Sequence, residues 1–198
     1  MCNRHGHDHP LQRPIAPQPA DINEFWRAAG PKRWFAKDDQ FDAAIRLKFE
    51  AVHHGAARGE HAAWCETAQG ALALLILLDQ FPRNLYRGSA HAFATDPLAR
   101  KTAADALGRG HDLATEPSLR GFFYLPFMHS ETLADQDLGV ELHQALARAT
   151  NDPQAARWAL QHRDIIARFG RFPHRNRALG RETTAEEQAF LDAGGFAG

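Results

Sequence analysis

The sequence predicts an all-α protein, an array of packed antiparallel helical hairpins with seven to eight helices, and three observations lead there. Apolar residues recur at i, i+3, i+4 and i+7 along nearly the whole chain after residue 20. No segment alternates polar and apolar residues over the length of a strand. Proline, glycine and capping residues punctuate the chain at short intervals, and short joints make neighbouring helices antiparallel.

The elements follow in order. Residues 1–19 carry four prolines and almost no hydrophobic periodicity, which reads as a flexible tail, with one domain over 20–198. Asp21 is the expected N-cap of a first helix whose apolar face is Ile22, Phe25, Trp26 and Ala29. A second begins near Asp38, carries the stripe Phe41, Ile45, Phe49 and Val52, and ends near His54 and Gly55. A third, from about Glu60 to Gln80, is apolar on every side from Ala71 to Leu78, as befits a helix surrounded by others. Asp96 with Pro97 starts a helix that runs to about Gly108, and Glu116 to Tyr124 forms a short one that stops before Pro126. Ser130 caps a helix to about Ala149, and Asp152 with Pro153 opens one that ends near Phe169. Thr183 or Thr184, with Glu186 or Glu187 three residues on, makes a capping box for the last helix, closed by Gly194 and Gly195. The aromatic positions Trp26, Phe41, Phe49, Trp64 and Trp158 read as core.

Composition narrows the function. Lys and Arg (23) nearly balance Asp and Glu (24), so there is no global field to recruit nucleic acid or an anionic membrane surface. Cys2 and Cys65 suggest neither a disulfide framework nor a zinc site, and a reducing cytoplasm suits them. The longest apolar run, Ala71 to Leu78, falls well short of the roughly 20 residues that cross a bilayer, and the N-terminus has no signal-peptide core. No cofactor is expected, and no nucleophile with its base stands at a recognisable spacing: GxSxG, a Walker loop and HExxH are all missing.

Chemistry concentrates at three proline corners, DQFPRNLYRG (79–88), YLPFMHSE (124–131) and RFGRFPHRN (168–176), and FPRN echoes FPHRN. The candidate binding residues are Arg83, Asn84, Arg87, His129, Glu131, Asp135, His162, Arg171, His174, Arg175, Asn176 and Arg181. At about 100° per residue, Glu131 and Asp135 share the side of Leu138, Leu142 and Leu146 and so face the core. His162 lies within the stripe Trp158, Ile165, Ile166 and Phe169. Six arginines stand against one acid between Arg163 and Arg181, whereas Glu131 to Glu141 holds four acids and no base.

Forked guanidiniums match carboxylate or phosphate through two bonds at once, so three readings are open to these residues. In the first, the corners converge on an Arg- and His-lined pocket with cations to spare, for an anionic small molecule or an acidic peptide. In the second, the protein is a small-molecule hydrolase with His129 or His174 as acid or base and arginines clamping the substrate. In the third, the arginines only tie helix ends and inward acids together. A metal at His129 and Glu131, joined by His162 or His174, is disfavoured because the surrounding arginines repel a cation. His5, His7 and His9 with Cys2 in the tail form a weak chelating tract.

The motifs LLDQFPRNLYRG, FATDPLA, YLPFMHSE and RFGRFPHRNRALGRETTAEE resemble those of the bacterial DUF924 family, over about Asp21 to Phe196. That resemblance implies a tetratricopeptide-like all-α fold and supplies no activity and no catalytic residue. The HGHDH start and the proline-rich tail lie outside the family's motif pattern.

Overall fold

A buried helix that is apolar all round needs a shell of other helices, and the chain builds one. The computed structural model describes residues 16–196, which are helical or in turns, with no strand among them. Ala71 to Leu78 are all buried, as the sequence predicts. They belong to α4 (Ala68–Leu75), a π-helical turn (Ile76–Gln80) and α5 (Phe81–Leu85), which together form one central rod. Against it pack α1 (Pro19–Ala29), α3 (Asp39–Ala57) and α6 (Asp96–Gly108), with the single turn α2 (Pro31–Trp34) beside α1. Phe25, Trp26, Phe41, Phe49 and Phe81 interlock in stacked and edge-on pairs in this core. No helix among the described residues is long and apolar enough to cross a membrane.

The rod is not the uniform helix expected from Glu60 to Gln80. Residues Ala62–Glu66 form a 3-10 turn, and α4 starts afresh behind Thr67, whose hydroxyl accepts the Gly70 N–H at 3.1 Å. The π turn has a local cause. Pro82 has no N–H for the Leu78 carbonyl, and its ring would clash with that carbonyl in a regular helix. The turn therefore widens, with the Phe81 N–H reaching back to the Ile76 carbonyl. Three carbonyls freed in this way find donors on side chains. His53 Nδ1 donates to Leu77 at 2.8 Å, Thr95 Oγ1 to Leu78 at 2.5 Å, and Arg83 Nη1 to Asp79 at 2.5 Å.

The second half begins with α7 (Pro117–Arg120), a 3-10 turn (Gly121–Phe123) and α8 (Leu125–Met128), so the chain turns through Pro126 instead of stopping before it. The hairpin α9 (Leu133–Thr150) and α10 (Gln154–Phe169) follows, reversed at Asn151, whose φ of 54° is left-handed. A small core of Ile165, Ile166 and Phe172, with Phe169, Phe190 and Phe196 against it, fastens the C-terminal segment. There α11 (Ala185–Asp192) is capped reciprocally by Thr184 and Glu187.

Several expected details are corrected. Asp21 is not the N-cap: α1 starts two residues earlier, and the Asp21 carboxylate accepts the Gln18 N–H at 2.8 Å. Thr95 precedes α6, and Asp96, its first residue, is engaged by an arginine instead. Thr132 precedes α9; Ser130 Oγ donates to Asp135 at 2.6 Å. The buried side of α9 is Gln136, Gly139, His143 and Leu146, so the expected stripe is rotated and Leu138 is 39% exposed. On α10, His162 is buried as expected, but Trp158 is 45% exposed and is not core. The tail and its Cys2, His5, His7 and His9 lie outside the described residues.

Candidate functional site

The π turn decides where the first acid points. By inserting an extra residue into the rod, it carries Asp79 inward, where its side chain is only 1% exposed. Opposite lies the end of α8. There Gln136, from α9, donates its amide to the Met128 carbonyl at 2.7 Å and the Ser130 carbonyl at 2.6 Å, the two groups that flank His129. Gly139 lets α9 approach this closely, since a Cβ there would stand 3.3 Å from the Met128 nitrogen. His129 is thereby fixed with Nδ1 at 2.9 and 3.0 Å from the two Asp79 oxygens.

Around this pair stand three further charges. Gln80 donates to Asp79 Oδ2 at 2.5 Å, and Arg83 Nη1 lies 3.4 Å from Oδ1. Arg83 also grips Asp96 with both arms, at 2.9 and 3.0 Å. The 3-10 turn Pro173–Arg175 brings in Arg175, whose Nη1 lies 3.5 Å from Asp96 Oδ2. The Arg175 guanidinium sits 4.5 Å from the centres of both the Phe93 and Phe172 rings. Its side chain is 7% exposed, and its Nε–H is buried without a hydrogen-bond partner among the described residues. His174 Nδ1 is buried and unpartnered in the same way. Phe196 covers His162 and His174, its ring centre 4.4 and 5.1 Å from theirs.

The electrostatics follow from burial. Burial alone would raise the Asp79 pKa, but the adjoining His129, Arg83 and the hydrogen bonds outweigh it and hold the group at about 2. Burial, then repulsion from Arg83, lowers His129, so the imidazole is neutral at neutral pH. Because an ionised carboxylate only accepts, the proton of neutral His129 sits on Nδ1 and the lone pair on Nε2. Burial also pushes His162 to about 4, with His129 adding to it, and His174 to about 3, with Arg175 adding to it. Arg175 itself falls to about 10 through burial and the nearness of Arg83.

The twelve expected residues divide. Arg83, His129, His162, His174 and Arg175 form the buried cluster. Glu131 and Arg181 stand at its edge: Arg181 grips Glu131 at 2.6 and 3.0 Å, while Glu131 accepts the Phe172 N–H at 2.8 Å, pinning the third corner to the second. Asp135 lies 3.5 Å from Arg100. Arg171 and Asn176 turn away to Glu187, at 2.6 and 2.9 Å for the arginine and 3.2 Å for the amide. Asn84 and Arg87 belong elsewhere. They bind Asp42 of α3, at 2.7 Å and at 2.6 and 3.0 Å, beside a groove of about 560 Å³.

The expected surplus of cations is therefore corrected. Arg83, Arg87, Arg171 and Arg181 each hold a carboxylate within hydrogen-bond range, and of the five candidate guanidiniums Arg175 alone does not. The acids that make the difference, Asp42, Asp79, Asp96 and Glu187, lie far from their partners in sequence or behind the π turn. The one early signal for Asp79 was a charge closing an otherwise apolar helix. Among the described residues no three His, Cys, Asp or Glu side chains are grouped as a metal site.

The family model for bacterial proteins of unknown function, DUF924, matches residues 22–195. The chain is a DUF924 protein. A solved structure of a protein of unknown function from Agrobacterium tumefaciens is 51% identical, covers 88% of this chain and 97% of its own, and superposes with a TM-score of 0.84. No curated protein matches. What the DUF924 motifs have in common here is position: LLDQFPRN, FATDPLA, YLPFMHSE and RFPHRN supply Asp79, Arg83, Phe93, Asp96, His129 and Arg175, which meet in one cluster.

Proposed function

We propose that this DUF924 protein binds a small anion, a carboxylate or phosphate, at Arg175. One observation carries the reading: among the described residues, a buried guanidinium whose Nε–H has no partner and whose nearest acid stands at 3.5 Å. Arg87 and Arg171 use the same Nε and Nη2 edge to take a carboxylate through two bonds. Buried charge without such a complement is costly, and an anion on that edge would relieve it. The depth of Arg175 favours a small molecule over an acidic peptide. A structural tie predicts the opposite arrangement, a fully bonded fork like that of Arg181 on Glu131.

The reading includes a cytoplasmic location, since a chain with only two cysteines has no disulfide framework that would call for an oxidising compartment. It also includes tetratricopeptide-like stacking of hairpins, supported by the extensive packing of α9 on α10.

Thermal melting in phosphate, sulfate, succinate and citrate tests it. An anion at 100 times its Kd stabilises by about 2.7 kcal/mol, which raises the Tm of a chain this size by roughly 5–10 °C. Arg175→Gln should keep its helical circular dichroism and lose that rise. No response from the wild type to any of the four anions, or an undiminished response from Arg175→Gln, refutes the proposal.

A further inference from the structure

We propose that Asp79 and His129 form a general-base pair that activates water against a carboxylic ester whose acid portion carries a second, free carboxylate. The proposal rests on the anion reading for the placement of that free carboxylate at Arg175; the base itself stands on separate observations.

The first is the π turn. Widened turns in a helix recur at functional sites because they re-aim a side chain at the cost of regular hydrogen bonds. Here the side chain re-aimed is Asp79, and three side chains on α3, α5 and the loop before α6 are needed to satisfy the carbonyls left behind. The second is the pairing. Both Asp79 oxygens lie within 3.0 Å of His129 Nδ1, which fixes the ring's orientation and leaves the lone pair on Nε2. The third is what Nε2 meets. It has no hydrogen-bond partner among the described residues, and the His129 side chain, 14% exposed, is more open than Asp79 beneath it. A histidine serving only to neutralise Asp79 would add little, because Arg83 already stands 3.4 Å away.

The groups facing His129 are Asp79 and Arg83 from the central rod, Asp96 from α6, His162 from α10, His174 from the 173–175 turn and His143 from α9. Burial, with Arg83 beside it, lowers the ring's pKa and so favours the unprotonated state a base requires.

The step balances without a cofactor. His129 Nε2 takes one proton from water as the water oxygen bonds to the ester carbonyl carbon. The carbon–oxygen bond to the leaving alcohol then breaks, and the departing oxygen takes the proton back from Nε2. One ester and one water become an acid and an alcohol, and His129 returns neutral. His129 is the catalytic residue and Asp79 the positioning residue.

The probe is 4-nitrophenyl hydrogen succinate, with uncharged 4-nitrophenyl acetate beside it. The wild type should release nitrophenol from the succinate ester above the buffer rate. His129→Gln should lower kcat by about 100- to 10,000-fold with KM little changed. Asp79→Asn should lower kcat in the same direction at unchanged KM, because its amide no longer enforces the tautomer. Should Asp79→Asn fail to fold, His129→Gln carries the test alone. No wild-type turnover of the succinate ester, or undiminished turnover in His129→Gln, overturns the proposal. The anion reading fails separately: turnover that depends on His129 but is equal for both esters and indifferent to Arg175→Gln sinks that reading and leaves the base in place.

Discussion

Lowering the pH from 7.5 to 5 removes much of the stability of this fold, because burial lowers the pKa of His53, His129, His143, His162 and His174. In the folded chain burial holds His143 and His162 at about 4 and His174 at about 3. In the unfolded chain each titrates near 6.5. The folded values are the lower ones, so the unfolded state takes up protons first as the pH falls. The stability is present above about pH 6.5 and drains away toward pH 4. At pH 5 each of His143, His162 and His174 accounts for about 2 kcal/mol, from the ratio of protonated fractions in the two states. The three together reach roughly 4–6 kcal/mol, since His162 and His174 face each other and Arg175 and do not add independently. That is comparable with the whole stability of many domains. The depressed carboxyl of Asp79, held at about 2, releases its share only below pH 4, so the window isolates the histidines. Urea unfolding followed by helical circular dichroism at the two pH values measures the effect. His143 gives the cleanest control, being buried with Nδ1 donating to the Gly139 carbonyl at 2.8 Å. His143→Gln keeps a donor, removes the titration, and should shrink the pH-dependent loss by about 2 kcal/mol. Equal unfolding free energies at pH 7.5 and 5 in the wild type, or an unaltered loss in His143→Gln, would refute the reasoning.

Two further outcomes are expected. Thr95→Val removes the hydroxyl that satisfies the Leu78 carbonyl and should cost about 1–3 kcal/mol in urea unfolding, whereas an unchanged midpoint would mean that carbonyl needs no donor. Gly70→Ala places a Cβ 2.0 Å from the Trp64 carbonyl oxygen, a backbone atom, so the roughly 1 kcal/mol gain in helix propensity is outweighed and the Tm should drop; a rise would refute this steric argument.

The helices were legible because periodicity and caps are local signals. The expected second helix starts beside Asp38, the Thr184 and Glu187 box does what its spacing says, and Ala71 to Leu78 is buried as its all-round apolarity requires. The phase of α9 was not legible, because its buried side uses Gln136, Gly139 and His143, residues chosen for contacts with α8 and Tyr124 that no hydropathy pattern encodes. The three proline corners were visible as clusters, and the meeting of Arg83, His129 and Arg175 follows from folding them together. Their charge balance was not visible. It depends on Asp96, read only as a helix cap, and on Asp79, whose direction is set by a widened turn that composition does not announce. Arg171 and Arg87 were misplaced for the same reason, since Glu187 and Asp42 reach them from distant parts of the chain.

The extra residue in the rod has a corollary. Deleting Leu77 would take away the residue that widens the turn ahead of Pro82 and rotate Asp79 about 100° around the axis relative to α4, away from its histidine. The apolar lining would survive such a change, and every side chain of the cluster would still be encoded. In this chain, then, the acid is addressed by the length of the helix as much as by its spelling, and a variant that keeps each residue of the cluster but lacks that one would retain the architecture and lose the pairing.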